Sequence, residues 1–253
     1  MFKGKTLVGI GCSHVFGSFL DESMYKHKET CHSRSWLKKL EILTQANDSI
    51  NLAHPGASNK RSFRVIRDFV LRNRDILDDL IIFVGITEPI RTELPIAKEV
   101  TKNSIFGYPI DSTVVNEEYD ILTLGSYLLD DAYERDQKFE KFIELYYGYH
   151  SFVNYEVEQM NLDLISLHIF FNYFGIDHYF LCMLVNEQDF AVNSMREKLP
   201  IISFDGSSAI YHATSNGHKV GNDYVSNSGC NHLDEEGNMF IAKYIKEKIE
   251  NGL

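Results

Sequence analysis

Cysteine is scarce in this 253-residue chain: Cys12, Cys31, Cys182 and Cys230 are scattered along its length. Four cysteines with no regular spacing exclude the disulfide framework that holds small secreted domains together. Positive charge is also short. The 25 Lys and Arg face 36 Asp and Glu, a formal net charge of −11. A surface of that sign repels phosphate backbones and anionic headgroups, which argues against nucleic acid or a membrane as partner. Only "NKRSFRVIRDFVLRNR" (59–74) is locally basic, and its arginines read as the solvated face of a helix. Long hydrophobic runs are missing too. The longest uncharged stretch, "LISLHIFFNYFGI" (164–176), has thirteen residues and includes His and Asn, whereas a membrane span needs about 20. The opening "MFKGKTLVGIG" carries no small-residue cleavage site and reads as a first strand, not a signal peptide. The expected location is a reducing cytoplasm.

What is present is an ordinary globular composition, 44 % hydrophobic and 24 % charged. Strand-like runs occur at "KTLVGIG" (5–11), "SINLA" (49–53), "LIIFVGI" (80–86), "HYFLCML" (178–184) and "PIISF" (200–204). Three are continuous apolar runs, as strands covered on both faces are. Helical patterns lie between them: Ser35–Ala46, Ser58–Leu77, the very apolar Phe152–Phe174, which reads as buried, and 234–251. The last carries Phe240, Ile241, Tyr244, Ile245 and Ile249 on one stripe, with Asp234 as N-cap. Strand and helix in alternation predict a doubly wound α/β sheet. Residues 98–150 break the rhythm with acidic, tyrosine-rich segments and read as an insertion or lid over one end of the sheet, within a single domain spanning 1–253.

In such a sheet, ligands bind beyond the carboxyl ends of the strands. The first run ends in Gly11-Cys12-Ser13, with His14 and Gly17 following. The second is followed by "HPGASN", with Gly56 and Asn59. The third ends in "GITEPIR", with Gly85, Thr87, Glu88 and Arg91. The final helix is preceded by "GCNHLDEEG", with His232. Four separated segments thus bring small or polar residues of catalytic type to one rim.

The order and spacing of these pieces resemble the SGNH (GDSL-type) hydrolases. Gly11-Cys12-Ser13 with Gly17 is similar to that family's first block and Gly56 to its second. Gly85-Ile86-Thr87-Glu88 loosely matches the third, and His232 the fifth. The resemblance implies a flavodoxin-like three-layer α/β/α sandwich with a five-stranded parallel sheet. It also implies a serine esterase or deacetylase acting on an ester, such as an O-acetyl group on a glycan. Three departures stand out. Cys12 replaces the family's acid, Thr87 its oxyanion-hole asparagine, and Gly229 the triad aspartate three residues before the histidine. Asp223, Asp234 or a backbone carbonyl is then left to orient His232, or the pair works as a dyad.

The chemistry can be stated from the residues alone. A serine hydroxyl is a weak nucleophile and needs an adjacent base. His232 is the candidate base for Ser13 because the loop before the last helix returns to the same rim. The developing oxyanion needs donors, for which Ser13 N–H, Gly56 N–H and the Asn59 amide are the candidates, with the Thr87 hydroxyl as the weaker one. Arg91 and His14 are candidate substrate-binding residues, Arg91 for a carboxylate or sugar acid. No cofactor is required, and the partner is a small-molecule or glycan ester. No oligomeric state follows. An ordinary imidazole would give activity rising through a pKa near 6–7.

Two rival readings remain open at this level. Cys12-x-His14, Cys31-His32 and Cys230-x-His232 would supply soft ligands for Zn²⁺ at the same rim. Alternatively, the altered third and fifth blocks mark a scaffold of this type that has lost catalysis and serves as a binding or structural protein.

Overall fold

The computed structural model describes residues 1–17, 28–97, 119–124, 141, 145, 153–187, 199–218 and 232–252. In chain order the elements are β1 (Thr6–Ile10), α1 (Ser13–Phe16), α2 (Lys28–Arg34), α3 (Trp36–Thr44), β2 (Asp48–Asn51), α4 (Asn59–Arg72) and, after a short 3₁₀ turn, β3 (Leu80–Ile86). There follow β4 (Thr92–Ala97), β5 (Tyr119–Leu124), α5 (Val153–Tyr173), β6 (Asp177–Cys182), β7 (Ile201–Ile202), α6 (Ala209–Ser215) and α7 (Glu235–Glu250).

The five expected strands form one parallel sheet in the order β2-β1-β3-β6-β7. That is the flavodoxin-like order. β3 is buried at every one of its seven positions, which is why it reads as an unbroken apolar run. The chain moves one way along the sheet from β1 to β2, and the other way from β2 through β3 and β6 to β7. With right-handed crossovers these opposite moves put α3 on one face and α4 and α5 on the other. α3 packs against α7, and α4 against α5. Trp36, Leu37, Leu40, Ile241 and Ile245 are buried on the first side. Phe63, Ile66, Val70, Leu164, Leu167 and Phe171 are buried from α4 and α5.

Two features differ from the sequence reading. α5 is not buried all round. Met160, Leu164, Leu167 and Phe171 face the core, but Tyr155, Leu162, Ile169 and Tyr173 are 55–83 % exposed. Its composition is apolar on both sides, so composition alone gives no stripe to separate in from out. Strands β4 and β5 pair antiparallel from Thr92↔Leu124 to Ala97↔Tyr119, so the 98–150 stretch leaves and rejoins a two-stranded ladder. Apart from β5, Lys141 and Leu145, that expected insertion lies outside the described residues.

Among the described residues, no helix is long and apolar enough to cross a membrane.

Candidate active site

The order β2-β1-β3 places the reversal of winding between β1 and β3, where a crevice opens beyond the strand ends. Ser13 leaves β1 at that point. Extended Cys12 (φ −87°) starts α1, a single turn that Gly17 ends with φ +84° and an N–H bond to the Ser13 carbonyl. A Cβ on Gly17 would lie 2.5 Å from the Cys31 carbonyl oxygen, so conformation and space both require glycine. Gly85 on β3 provides the other close approach: a Cβ there would meet Val15 Cγ2 at 2.4 Å. Val15 can therefore seat α1 directly on the sheet. The Asn51 amide, at the end of β2, donates to the carbonyls of Val15 (3.0 Å) and Phe16 (3.4 Å). These are carbonyls that so short a helix cannot satisfy itself. Asn51 Oδ1 accepts from Ala53 N–H. The turn carrying Ser13 is thus clamped from β2 and β3.

His232 stands just before α7. Asp234 caps that helix, its Oδ1 accepting from Gly237 N–H at 2.8 Å. Asn238 holds the approach: its amide donates to the carbonyls of Leu233 (3.0 Å) and Asp234 (2.9 Å), and its Oδ1 accepts from Trp36 N–H (3.0 Å). The start of α3 and the His232 segment are thereby tied together. His232 Nε2 lies 2.7 Å from Ser13 Oγ, across 219 residues of sequence. In the imidazole tautomer protonated at Nδ1, the Ser13 hydroxyl donates to Nε2.

The His14 ring stacks on that of His232, with centroids 4.3 Å apart and planes at 15°. Ser13 and His14 are 8 % and 9 % exposed. Burial, then the charge of Arg91, lowers His232 to about 3. His14 lies well below its ordinary value, through burial, then the His232 ring and Arg91. Both rings are neutral near pH 7. The pKa near 6–7 expected from an ordinary imidazole is corrected by this burial and by the guanidinium beside it. Arg91 is itself fastened to Glu88, Nε to Oε2 at 3.2 Å and N–H to the Glu88 carbonyl at 3.2 Å.

The remaining expected residues fall as follows. Gly56 has φ +73° in a turn closed by Ala57 N–H on the His54 carbonyl, with Pro55 before it. That is the arrangement of a type II turn. Asn59 and Thr87 are joined to each other: the Asn59 amide donates to the Thr87 carbonyl (3.0 Å), and Thr87 N–H donates to Asn59 Oδ1 (2.9 Å). This fixes the Asn59 carboxamide and commits one of its two amide hydrogens. The Thr87 hydroxyl is fully buried and has no hydrogen-bond partner among the described residues. Asp234 serves as a helix cap, while Asp223 and Cys230 lie outside the described residues. Cys12 and Cys31 are buried thiols, and His32 is hydrogen-bonded to Ser49. No group of three His, Cys, Asp or Glu side chains is placed to hold a metal among the described residues.

A small pocket opens at this point, lined by Ser13, His14, Trp36, Met183, Ile210 and Leu233, with His232 and Asn238. Asn51 and Asn238 were not singled out in the sequence. Asn238 had a signal: it is a polar residue three and seven positions before Ile241 and Ile245, on the buried stripe of α7.

No protein-family profile matches the chain, and no curated protein does. Solved structures do. LAE5, an α/β hydrolase from the metagenome of Lake Arreo, matches with a TM-score of 0.51 and 10 % identity over 98 % of this chain and 95 % of its own. A member of the lipolytic G-D-S-L family from Veillonella parvula matches at 0.48 and 12 % identity, over 96 % and 97 %. Axe2, an acetylxylan esterase from Geobacillus stearothermophilus, matches at 0.48 and 10 %, over 98 % and 95 %. At these identities the likeness is one of fold: the chain shares the α/β architecture of LAE5 over nearly its whole length.

Proposed function

We propose that the chain is a serine hydrolase of the esterase type, with Ser13 as nucleophile and His232 as general base. The observation that carries this reading is the 2.7 Å contact between Ser13 Oγ and His232 Nε2. A neutral imidazole with a free lone pair on Nε2 is the form a general base needs. As Oγ attacks the ester carbonyl, its proton passes to Nε2. The tetrahedral intermediate then collapses, and the imidazolium gives that proton to the leaving alcohol. Water repeats the cycle on the acyl-serine and frees the acid.

The imidazolium formed midway is costly beside Arg91. Its stabilisation falls to the oxyanion it faces and to any acid on Nδ1, for which Asp223 is the remaining sequence candidate. Ser13 N–H, Gly56 N–H and the second amide hydrogen of Asn59 are the proposed oxyanion donors, and each such donor supplies roughly 3–4 kcal/mol. The Thr87 hydroxyl is the reserve. The small pocket, with Trp36, Met183, Ile210 and Leu233 among its lining, suits a short acyl group, and an acetyl ester of a small molecule or glycan fits that scale. The acetylxylan esterase among the similar structures lends its substrate class to this proposal.

The test uses a fluorophosphonate probe and a series of p-nitrophenyl esters. Wild type is expected to label at Ser13 and to favour acetate over long acyl chains. Ser13→Ala should lose both activities, and His232→Ala should lose most of the rate. Equal ester hydrolysis by wild type and Ser13→Ala would remove the assignment.

A further inference from the structure

A single hydrogen bond does not fix the orientation of a ring. The contact from Ser13 to Nε2 sets one direction for His232. The adjacent residue bears on the plane of the ring. His14 follows Ser13 on the one-turn helix α1, and its ring lies flat on the His232 ring at 4.3 Å and 15°. An edge contact and a face contact together define the plane of an imidazole. Both come from consecutive residues of one turn. That turn is held by the Asn51 amide and by the seat of Val15 over Gly85, so nucleophile and stacking ring move as a unit.

We infer that His14 is a positioning residue, not a substrate contact: its ring, stacked on the face of His232, aims Nε2 at the Ser13 hydroxyl and keeps water off the imidazole. This inference rests on the esterase reading only for the direction in which the aimed proton travels. It does not depend on which group meets Nδ1, because it concerns the face of the ring and not that edge. It also accounts for a histidine held 9 % exposed with its flat surface given to another side chain.

Among the described residues, Ser13 and His14 from α1 touch His232, and the charge of Arg91, from the segment after β3, acts on it. Glu88 is paired to Arg91, and Asp234 is occupied in capping α7. Removing the His14 ring opens one face of His232 to water while leaving Arg91 in place. Its pKa then rises from the folded value of about 3 toward 6.5.

The experiment measures the second-order rate of fluorophosphonate labelling at Ser13 between pH 4.5 and 8, with Ser13→Ala as blank. Wild type is compared with His14→Ala, His14→Gln and His14→Phe, and thermal melting checks each fold. His14→Ala and His14→Gln are expected to slow labelling by about tenfold to a hundredfold, the cost of a misaimed reacting group. Both should also acquire an acid limb that wild type lacks above pH 5. His14→Phe, which keeps a flat ring, should recover most of the rate and the flat profile. Wild-type rate and profile in His14→Ala would overturn the inference, as would His14→Phe being as slow as His14→Ala. If alanine does not fold, glutamine decides on the same criteria. Should wild type not label at all, the esterase reading fails separately. The His232 ring-proton NMR titration then judges His14, with an upward shift in His14→Ala but not in His14→Phe supporting the stack and equal titration in both overturning it.

Discussion

Lowering the pH from 7 to 5 should weaken this fold sharply while leaving the serine reactive. The cause is the burial of neutral imidazoles. His178 is 7 % exposed, donates from Nδ1 to the Ile176 carbonyl and accepts at Nε2 from His168. Burial, the largest effect, brings its pKa from 6.5 to about 4. His232 falls from 6.5 to about 3, and His14 moves the same way. A histidine whose folded pKa lies below its unfolded value binds protons more readily when the chain is unfolded. Stability is therefore full above about pH 6.5 and declines as the pH drops toward the folded value. Between pH 7 and pH 5, His178 and His232 each cost about 2 kcal/mol, together about 4. A typical domain has only about 5–15 in all. Urea unfolding at the two pH values, at constant ionic strength, reads this directly. The single tryptophan, buried Trp36, is the reporter. His178→Leu should shrink the difference between the two pH values by about 2 kcal/mol, whatever it does to stability at pH 7. Labelling of Ser13 should still be on its plateau at pH 5, because His232 remains neutral there. Equal stability at pH 5 and 7 would refute the burial of neutral rings. A labelling rate that falls through pH 6.5 in folded protein would refute the lowered pKa of His232.

Three further outcomes follow from particular contacts. Thr87→Val removes a buried hydroxyl that has no partner among the described residues, so stability by urea unfolding should rise by about 1 kcal/mol; a loss of a hundredfold or so in esterase rate would instead make that hydroxyl an oxyanion donor. Arg91→Gln withdraws the positive charge beside both rings, so the ring-proton titrations of His232 and His14 should move up in pH, and a downward move would contradict the placement of the guanidinium. Gly85→Ala pushes a methyl group into Val15 and should cost about 1–3 kcal/mol, with slower labelling because the seat of α1 shifts; full stability and full rate together would show that α1 is not seated there.

The sheet was legible because its strands are covered on both faces. The run from Leu80 to Ile86 has no outward polar position to break it, and β3 is buried throughout. The stripe of α7 and its Asp234 cap were legible because both are local patterns. What escaped depends on partners far along the chain. A four-residue helix such as α1 is too short to show any period. The antiparallel pairing of β4 with β5 is a long-range match, and neither strand by itself names its partner. Within the site, Ser13 and His232 could be paired on topology. The coupling of Asn59 to Thr87, the clamp of Asn51 on α1 and the His14–His232 stack arise only from packing. The same packing moves His232 so far below an ordinary imidazole, because desolvation is a property of the surroundings and not of the residue.

The hydroxyl and its base come from segments 219 residues apart. At the usual pace of translation, about 5–20 residues per second, the serine emerges roughly 10–40 s before its histidine exists. Under the proposed assignment a nascent chain is therefore chemically silent, and the nucleophile is armed only when α7 docks against α3 and brings His232 to Ser13. On that assignment, probe labelling that Ser13→Ala lacks would count folded molecules alone, a readout for the yield of folding.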